Sequence, residues 1–345
     1  MKLAVLVLVV VIISITVFFV WENRKEMKIP LNQSSKNIKT EKPLDKYTID
    51  ALSAQKFEAS GIDIGDVVKD DKDFNSRIFY FWVGGKKVSG LVNLPKADGT
   101  YPVVVMYRGY IDREMYKTGD GTRRAGEVFA KNGFITVAPD FLGYGQSDMP
   151  SESPLEERFQ TYTTAITMLE SVSSINSALS MAGINVRADA TKVGIWGHSN
   201  GGQIALTVLE TMGTKVPTVL WAPVSKPFPY SILYYTDDID DHGKMLRRVV
   251  SDFEKDYDSE LYSLTNYLGK INALIQIHQG TADEAVPIAW SDSLVKTLKG
   301  KGKTIDYFTY LGDDHNFTKG SWQTVVDRNI EFFKQSFSTN KEKLK

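Results

Sequence analysis

The chain of 345 residues contains no cysteine. Disulfides, thiolate metal sites and a cysteine nucleophile are therefore excluded, whereas the compartment is left open. Imidazoles are scarce too: there are only four histidines, His198, His242, His278 and His315. Any chemistry that needs a histidine base has few places to be. The net charge of -1 gives no electrostatic case for nucleic acid as a partner. No internal repeat and no low-complexity tract is present. What remains is ordinary globular composition, 42% hydrophobic and 24% charged, enough for one large α/β domain or two small ones.

The first residues differ in kind from the rest. Leu3 to Trp21 is apolar apart from Ser14 and Thr16, and a helix of roughly 20 apolar residues crosses a bilayer. No small-x-small cleavage site follows, so residues 1–21 are read as an uncleaved single-pass anchor, with a cleaved secretion signal as the alternative. Arg24, Lys25 and Lys28 after the span outnumber Lys2, which by itself favours a cytoplasmic body. The Lys-then-apolar start is also the layout of a signal anchor, and the reading adopted is an extracytoplasmic catalytic domain. Residues 22–70 are expected to form a polar tether and a short N-terminal segment, with Ile49 to Lys69 a helix followed by a loop. Residues 71–345 are expected to hold the catalytic domain.

Beyond residue 70 strands and helices alternate. Phe74 to Val83 and Lys86 to Leu94 flank Gly84-Gly85, a hairpin signal. Buried strands are expected at Tyr101–Tyr107, Phe134–Ala138, Val193–Trp196, Thr218–Trp221, Asn272–His278 and Thr304–Tyr310. Helices are expected at Arg123–Lys131, Leu155–Met181, Gln203–Thr211, Ile288–Lys299 and Trp322–Phe337. The segment 224–270 breaks the alternation and is read as a helical insertion over the strand ends. The pattern implies a mainly parallel sheet covered by helices on both faces.

Gly197-His198-Ser199-Asn200-Gly201 is a G-x-S-x-G pentapeptide between an expected strand and an expected helix. A sharp turn there lifts the Ser199 hydroxyl clear of the sheet, next to a helix N-terminus. A Cβ at position 197 or 201 would collide across the turn. A serine hydroxyl needs a base, and the base needs an acid to hold its tautomer. Later strand ends supply both: Asp283 after Asn272–His278, and His315 after Thr304–Tyr310. Glu284, Asp313 and Asp314 compete with Asp283 for the acid's role. Of the other histidines, His278 reads as packed core, His242 as solvated, and His198 as pointing away from the nucleophile. The oxyanion needs donors already in place, each worth about 3–4 kcal/mol. The N–H of Asn200 is one; the N–H of Tyr110, or its hydroxyl, is the other.

At these motifs the chain resembles an α/β-hydrolase, and within that fold the catalytic domain of the prolyl oligopeptidase family. The matching pieces are G-H-S-N-G-G at 197–202, H-Q-G-T-A-D-E-A-V-P at 278–287 and G-D-D-H-N-F at 312–317. Dienelactone hydrolases and acetyl esterases share them. The resemblance implies Ser199 as nucleophile, Asp283 as acid and His315 as base, with no cofactor and no metal. Two departures stand out. The segment before the first hairpin is too short for the β-propeller that the family usually carries. Arg108 replaces the histidine usual before the oxyanion glycine. It offers a cationic spot for a substrate carboxylate, or else pairs with Asp140 or Asp148.

In the insertion, Tyr230, Tyr234 and Tyr235 precede Asp237, Asp238, Asp240 and Asp241. Tyr234 and Tyr235 are read as substrate contacts. The aspartates either hold a substrate's amino end or are simply solvated, and their spacing fits no calcium loop. The function expected is a serine hydrolase acting through an acyl-enzyme, first on short peptides and alternatively on small carboxylic esters. An inactive binding protein on the same fold is the reading from another class.

Overall fold

The computed structural model describes residues 42–237 and 241–339. The anchor expected at 1–21 and most of the expected tether lie outside them. Among the described residues no helix is long and apolar enough to cross a membrane.

Nine strands form one sheet: β1 Asp63–Asp70, β2 Phe74–Val83, β3 Lys86–Pro95, β4 Thr100–Tyr107, β5 Ile135–Pro139, β6 Arg187–His198, β7 Thr218–Trp221, β8 Ile275–Gly280 and β9 Ile305–Tyr310. Their order is β1-β2-β3-β5-β4-β6-β7-β8-β9. From β1 to β5 the neighbours run antiparallel. From β5 through β4 to β9 they run parallel. The helices are α1 Ile49–Ala54, α2 Arg123–Lys131, α3 Pro154–Ser171, α4 Ile175–Met181, α5 Asn200–Met212, α6 Tyr230–Leu233, α7 Lys244–Glu254, α8 Ile288–Gly300 and α9 Trp322–Thr339.

The period of two in β4 assigns its side chains to opposite faces. Val103, Val105 and Tyr107 join one core with residues of α3, α5 and α8. Val104 and Met106 join the other, with residues of α2 and α9. Helices on both faces leave the central strands no solvent side, hence the unbroken buried runs of β4 and β5. The Gly84-Gly85 turn has φ of 56° and 79° at its two centres, the left-handed pair that a two-residue hairpin of this twist requires.

Two segments differ from expectation. Asp63–Asp70 is an edge strand on β2, not a loop. Most of its side chains are exposed, so it carries little apolar alternation to read. The long helix expected at 155–181 is interrupted by a turn of 3-10 helix at Val172–Ser174. There the Ser171 hydroxyl donates to the Thr167 carbonyl and accepts from the Ser60 N–H at 2.8 Å, and Ser173 bonds back to Glu170. Serines that bond to backbone in this way compete with the helical ladder.

The insertion contains α6, α7 and three 3-10 turns. Phe159 of α3 fastens it. Its ring lies 5.0 Å from Tyr262, 5.6 Å from Phe228 and 6.2 Å from Phe253, all in the insertion, and 5.8 Å from Tyr47. Phe159→Ala should cost about 3–5 kcal/mol of stability, measured by urea unfolding. A loss below about 1 kcal/mol would mean that the insertion is held elsewhere.

Candidate active site

Parallel strands end at the same edge, so their C-terminal loops converge. Tyr107 of β4 pairs with Gly197 of β6. This brings the loop after β4 against the turn after β6. A Cβ built on Gly109 would stand 3.1 Å from Ser199 Cβ. At the far side, Gly280 of β8 pairs with Tyr310 of β9. The two loops that follow are joined by hydrogen bonds from Thr281 N to Tyr310 O at 2.9 Å and from Ala282 N to Asp313 O at 3.0 Å.

Ser199 sits at φ 58°, ψ −120°, between β6 and α5. For a side chain with a Cβ this is a strained conformation, and the surroundings hold it. Its N–H donates to Trp221 O at 2.9 Å, and its carbonyl accepts from Val224 N at 3.0 Å. The turn is tight. A Cβ on Gly201 would lie 1.9 Å from the Tyr107 carbonyl oxygen, and one on Gly197 2.5 Å from that of Gly201. Asn200 opens α5 and its N–H has no acceptor within the helix.

Asp283 is buried, 8% exposed. Its Oδ1 accepts from Ala285 N at 2.9 Å and Val286 N at 2.8 Å; its Oδ2 accepts from Gln279 Nε2 at 2.9 Å and from His315 Nδ1 at 2.8 Å. Burial alone would raise its pKa. The bonds and charge of His315, with those of Val286 and Gln279, outweigh this and hold the carboxyl below its ordinary value. The bond to Asp283 puts a proton on His315 Nδ1 and leaves Nε2 its lone pair, the form that a general base needs. Among the described residues no hydrogen bond joins His315 to Ser199 Oγ. Catalytic hydrogen bonds are often long before substrate arrives.

The competing acids have other tasks. Glu284 is exposed. Asp313 accepts from the main chain at Asp314, Lys319 and Ser321, and Asp314 from Asn316 and Thr318, bracing the loop that carries His315. His278 is core: its ring bonds Tyr310 OH at 2.7 Å and Gln276 Oε1 at 2.8 Å.

His198 does not point away from the site. Its Nε2–H donates to the His315 carbonyl at 3.0 Å, and the two rings lie 4.6 Å apart. Burial, then the neighbouring His315 charge, lowers its pKa to about 3, so it stays neutral. The pentapeptide gives no hint of this contact, because its partner lies 117 positions away in sequence.

Tyr110 is 72% exposed and its hydroxyl donates to Asp112 Oδ1 at 2.7 Å. That bond, then partial burial, pushes the phenol up to about 12. The hydroxyl is thus engaged elsewhere, while the main-chain N–H follows Gly109 beside Ser199. Arg108 is buried and pairs with neither the Asp140 nor the Asp148 carboxylate. Its Nη atoms donate to the carbonyls of Gly109 and Asp140, each at 2.9 Å, and its guanidinium lies 3.9 Å from the Tyr144 ring centre and 4.6 Å from that of Tyr116. The Asp140 carboxyl is occupied by Ser89, Tyr116 and Thr118. Asp148 accepts from Lys87 N.

In the insertion, Tyr234 and Tyr235 pack edge-to-face with Trp290, at 4.8 Å and 6.3 Å between ring centres. Asp237 pairs with Arg247 at 2.6 Å and Asp241 caps α7 through the N–H groups of Gly243 and Met245. Asp238 and Asp240 lie outside the described residues. Among the described residues no group of three or more acidic or histidine side chains could hold a metal ion.

The family model for the prolyl oligopeptidase family matches residues 123–340. The chain belongs to the prolyl oligopeptidase family. A putative carboxymethylenebutenolidase of Methylorubrum extorquens is 20% identical over 241 residues, 67% of this chain and 72% of that protein. Among solved structures, an acetyl xylan esterase from Paenibacillus sp. R4 superposes with a TM-score of 0.57 at 17% identity, covering 82% of this chain and 91% of the esterase. The Pyrococcus horikoshii acylaminoacyl peptidase gives a TM-score of 0.55 at 17% identity, covering 76% of this chain and 42% of the peptidase. At such identity the likeness is one of fold, the α/β-hydrolase fold. This prolyl oligopeptidase family member is a serine hydrolase of that superfamily.

Two predictions follow from the geometry. Tyr110→Phe should leave kcat within about threefold of wild type; a fall of about 100-fold or more would make the hydroxyl the oxyanion donor. The second concerns acid. The pKa of His198 and that of His278 are both lowered from 6.5 to about 3 in the fold, in each case chiefly by burial. As pH falls below 6.5 the unfolded chain takes up these protons first, so stability is complete above 6.5 and is lost progressively toward 3. His198→Gln keeps a side-chain N–H without titrating. Between about pH 7 and pH 5 its unfolding free energy should therefore fall less than that of wild type. An equal fall would show that His198 is not held neutral.

Proposed function

We propose that this chain hydrolyses small carboxylic esters through a covalent acyl-enzyme. Ser199 Oγ attacks the ester carbonyl as His315 Nε2 takes its proton, and Asp283 stabilises the imidazolium through Nδ1–H. The tetrahedral oxyanion is met by the N–H groups of Asn200 and Tyr110. His315 then returns the proton to the departing alkoxide. Water enters by the reverse sequence and frees the acid. The observation that carries this reading is the conjunction of a left-handed serine at a strand-to-helix turn with an imidazole whose Nδ1–H is bound by a buried carboxylate.

The ester preference rests on size. A cavity of about 180 Å³ adjoins Asn200 and Tyr110 and suits a small group. The likeness to the acetyl xylan esterase also spans nearly the whole of that protein. Short peptides are the second reading, favoured by the wall of Tyr234, Tyr235 and Trp290, which could hold a bulky residue.

Ser199→Ala should abolish ester turnover and covalent labelling by a fluorophosphonate probe, with the melting temperature unchanged or higher, since a strained nucleophile is not optimised for stability. Residual labelling in that variant would place the nucleophile elsewhere. Parallel assays on small alkyl esters and on aminoacyl-nitroanilides decide between the two substrate classes.

A further inference from the structure

The cavity beside the oxyanion donors has a feature that simple esters leave unused. Two arginines line it, Arg108 from the loop after β4 and Arg158 from α3. Arg108 is 5% exposed. Arg158 is partly exposed and donates to Gln203 Oε1 at 2.8 Å, one turn into the helix that Ser199 begins. Among the described residues neither guanidinium forms an ion pair with a carboxylate. The nearest acid in sequence, Glu157, is engaged by Arg113. The Nε of each arginine is buried without a hydrogen-bond partner.

Such an arrangement is costly. Removing a guanidinium from water without a counter-charge forfeits hydration that hydrogen bonds to neutral acceptors and ring contacts offset only in part. Buried donors without acceptors are rare in folded proteins. Here two occur in arginines that line one small cavity, and the one carboxylate among its lining residues, Glu157, is paired with Arg113 rather than with either of them. Arg108 is fixed by two carbonyls and three aromatic rings, so it serves as a rigid positive floor. Arg158 has only one neutral partner and retains donors to spare. A planar fork of this kind matches a carboxylate in two-point contact.

We infer that the cavity lined by Arg108 and Arg158 receives a carboxylate of the substrate, so that the natural substrates are esters of small acids or alcohols carrying a carboxylate a few bonds from the scissile carbonyl. This rests on the ester-hydrolase reading above. Arg158 makes the contact and Arg108 supplies a fixed field. The cavity's small volume keeps the charged group close to the oxyanion donors.

The test uses pairs of substrates of matched shape. Methyl hydrogen glutarate against methyl 5-methylhexanoate places the carboxylate on the acyl side. Acetoxyacetate against isobutyl acetate places it on the alcohol side. Acid release gives kcat/KM for each. In the wild-type protein at least one pair should favour the anion about tenfold or more, and that pair identifies the side. In Arg158→Gln the anion-to-neutral ratio for that pair should fall about tenfold, with Arg158→Lys intermediate. Fluorophosphonate labelling of Ser199 reports that each variant retains a formed site. Turnover with no anionic preference in either pair, or a ratio that Arg158→Gln leaves unchanged, overturns the inference while the ester-hydrolase reading stands. No turnover of any of the four esters overturns both.

Discussion

One peptide unit governs this molecule. Ser199 holds its positive-φ conformation because two neighbouring strand ends grip it. The end of β7 accepts its N–H through Trp221, the chain after β7 bonds its carbonyl through Val224, and the end of β4 leaves no room for a side chain at Gly201. Strain of this kind costs about 1–3 kcal/mol and persists only where the surroundings over-determine it. The same contacts that sustain the strain set the geometry of the site. A side chain at Gly109 would crowd Ser199 Cβ, so the absence of one lets the loop that carries the Tyr110 N–H lie close beside Ser199.

Around that unit, chemically equal groups acquire unequal roles from their settings. Two imidazoles lie 4.6 Å apart. His315 faces a carboxylate and is partly open to solvent. His198 faces a carbonyl and is buried, so it cannot afford a charge. It serves to seat the loop of its neighbour. Two buried carboxyls diverge in the same way. Asp283 has a base that can become cationic, together with N–H donors, and its pKa is lowered despite burial. Asp140 has three hydroxyls and one main-chain N–H, and burial prevails, raising its pKa. Asp283 therefore remains an anion able to stabilise an imidazolium, whereas Asp140 is a node that ties together the loops beneath Arg108.

What could be read from the sequence were the features that local pattern encodes. The alternation of apolar runs with helical stretches located the parallel sheet. The Gly84-Gly85 turn located the hairpin, and the strand-turn-helix about Ser199 located the candidate nucleophile. Motif position then brought Asp283 and His315 together, and the structure joins them at 2.8 Å. What escaped depends on partners distant in sequence. β1 is a strand because β2 offers it an edge, not because its own residues alternate. The 3-10 turn at Val172 lies next to Ser171, whose hydroxyl accepts from Ser60, 111 positions away in sequence. Arg108 binds a carbonyl where a carboxylate was equally plausible, since the Asp140 carboxyl is already occupied by hydroxyls. His198 touches His315 only after β6 and β9 have each taken their place in the sheet.

The distribution of charge gives these details a common direction. On one side of Ser199 stand the positive end of α5, the N–H groups of Asn200 and Tyr110, and two guanidiniums without carboxylate partners. On the other stand the Asp283 anion and the His315 ring. In acyl transfer, negative charge grows on the carbonyl oxygen while positive charge grows on the imidazole. A site already polarised in that sense stabilises both changes without reorienting its own dipoles during the reaction. A fixed carboxylate among the protein's own residues at Arg158 would cancel part of that polarisation permanently. A carboxylate delivered by the substrate neutralises the arginine only while substrate is bound, so that binding and recognition use the same charge that the empty site holds in reserve.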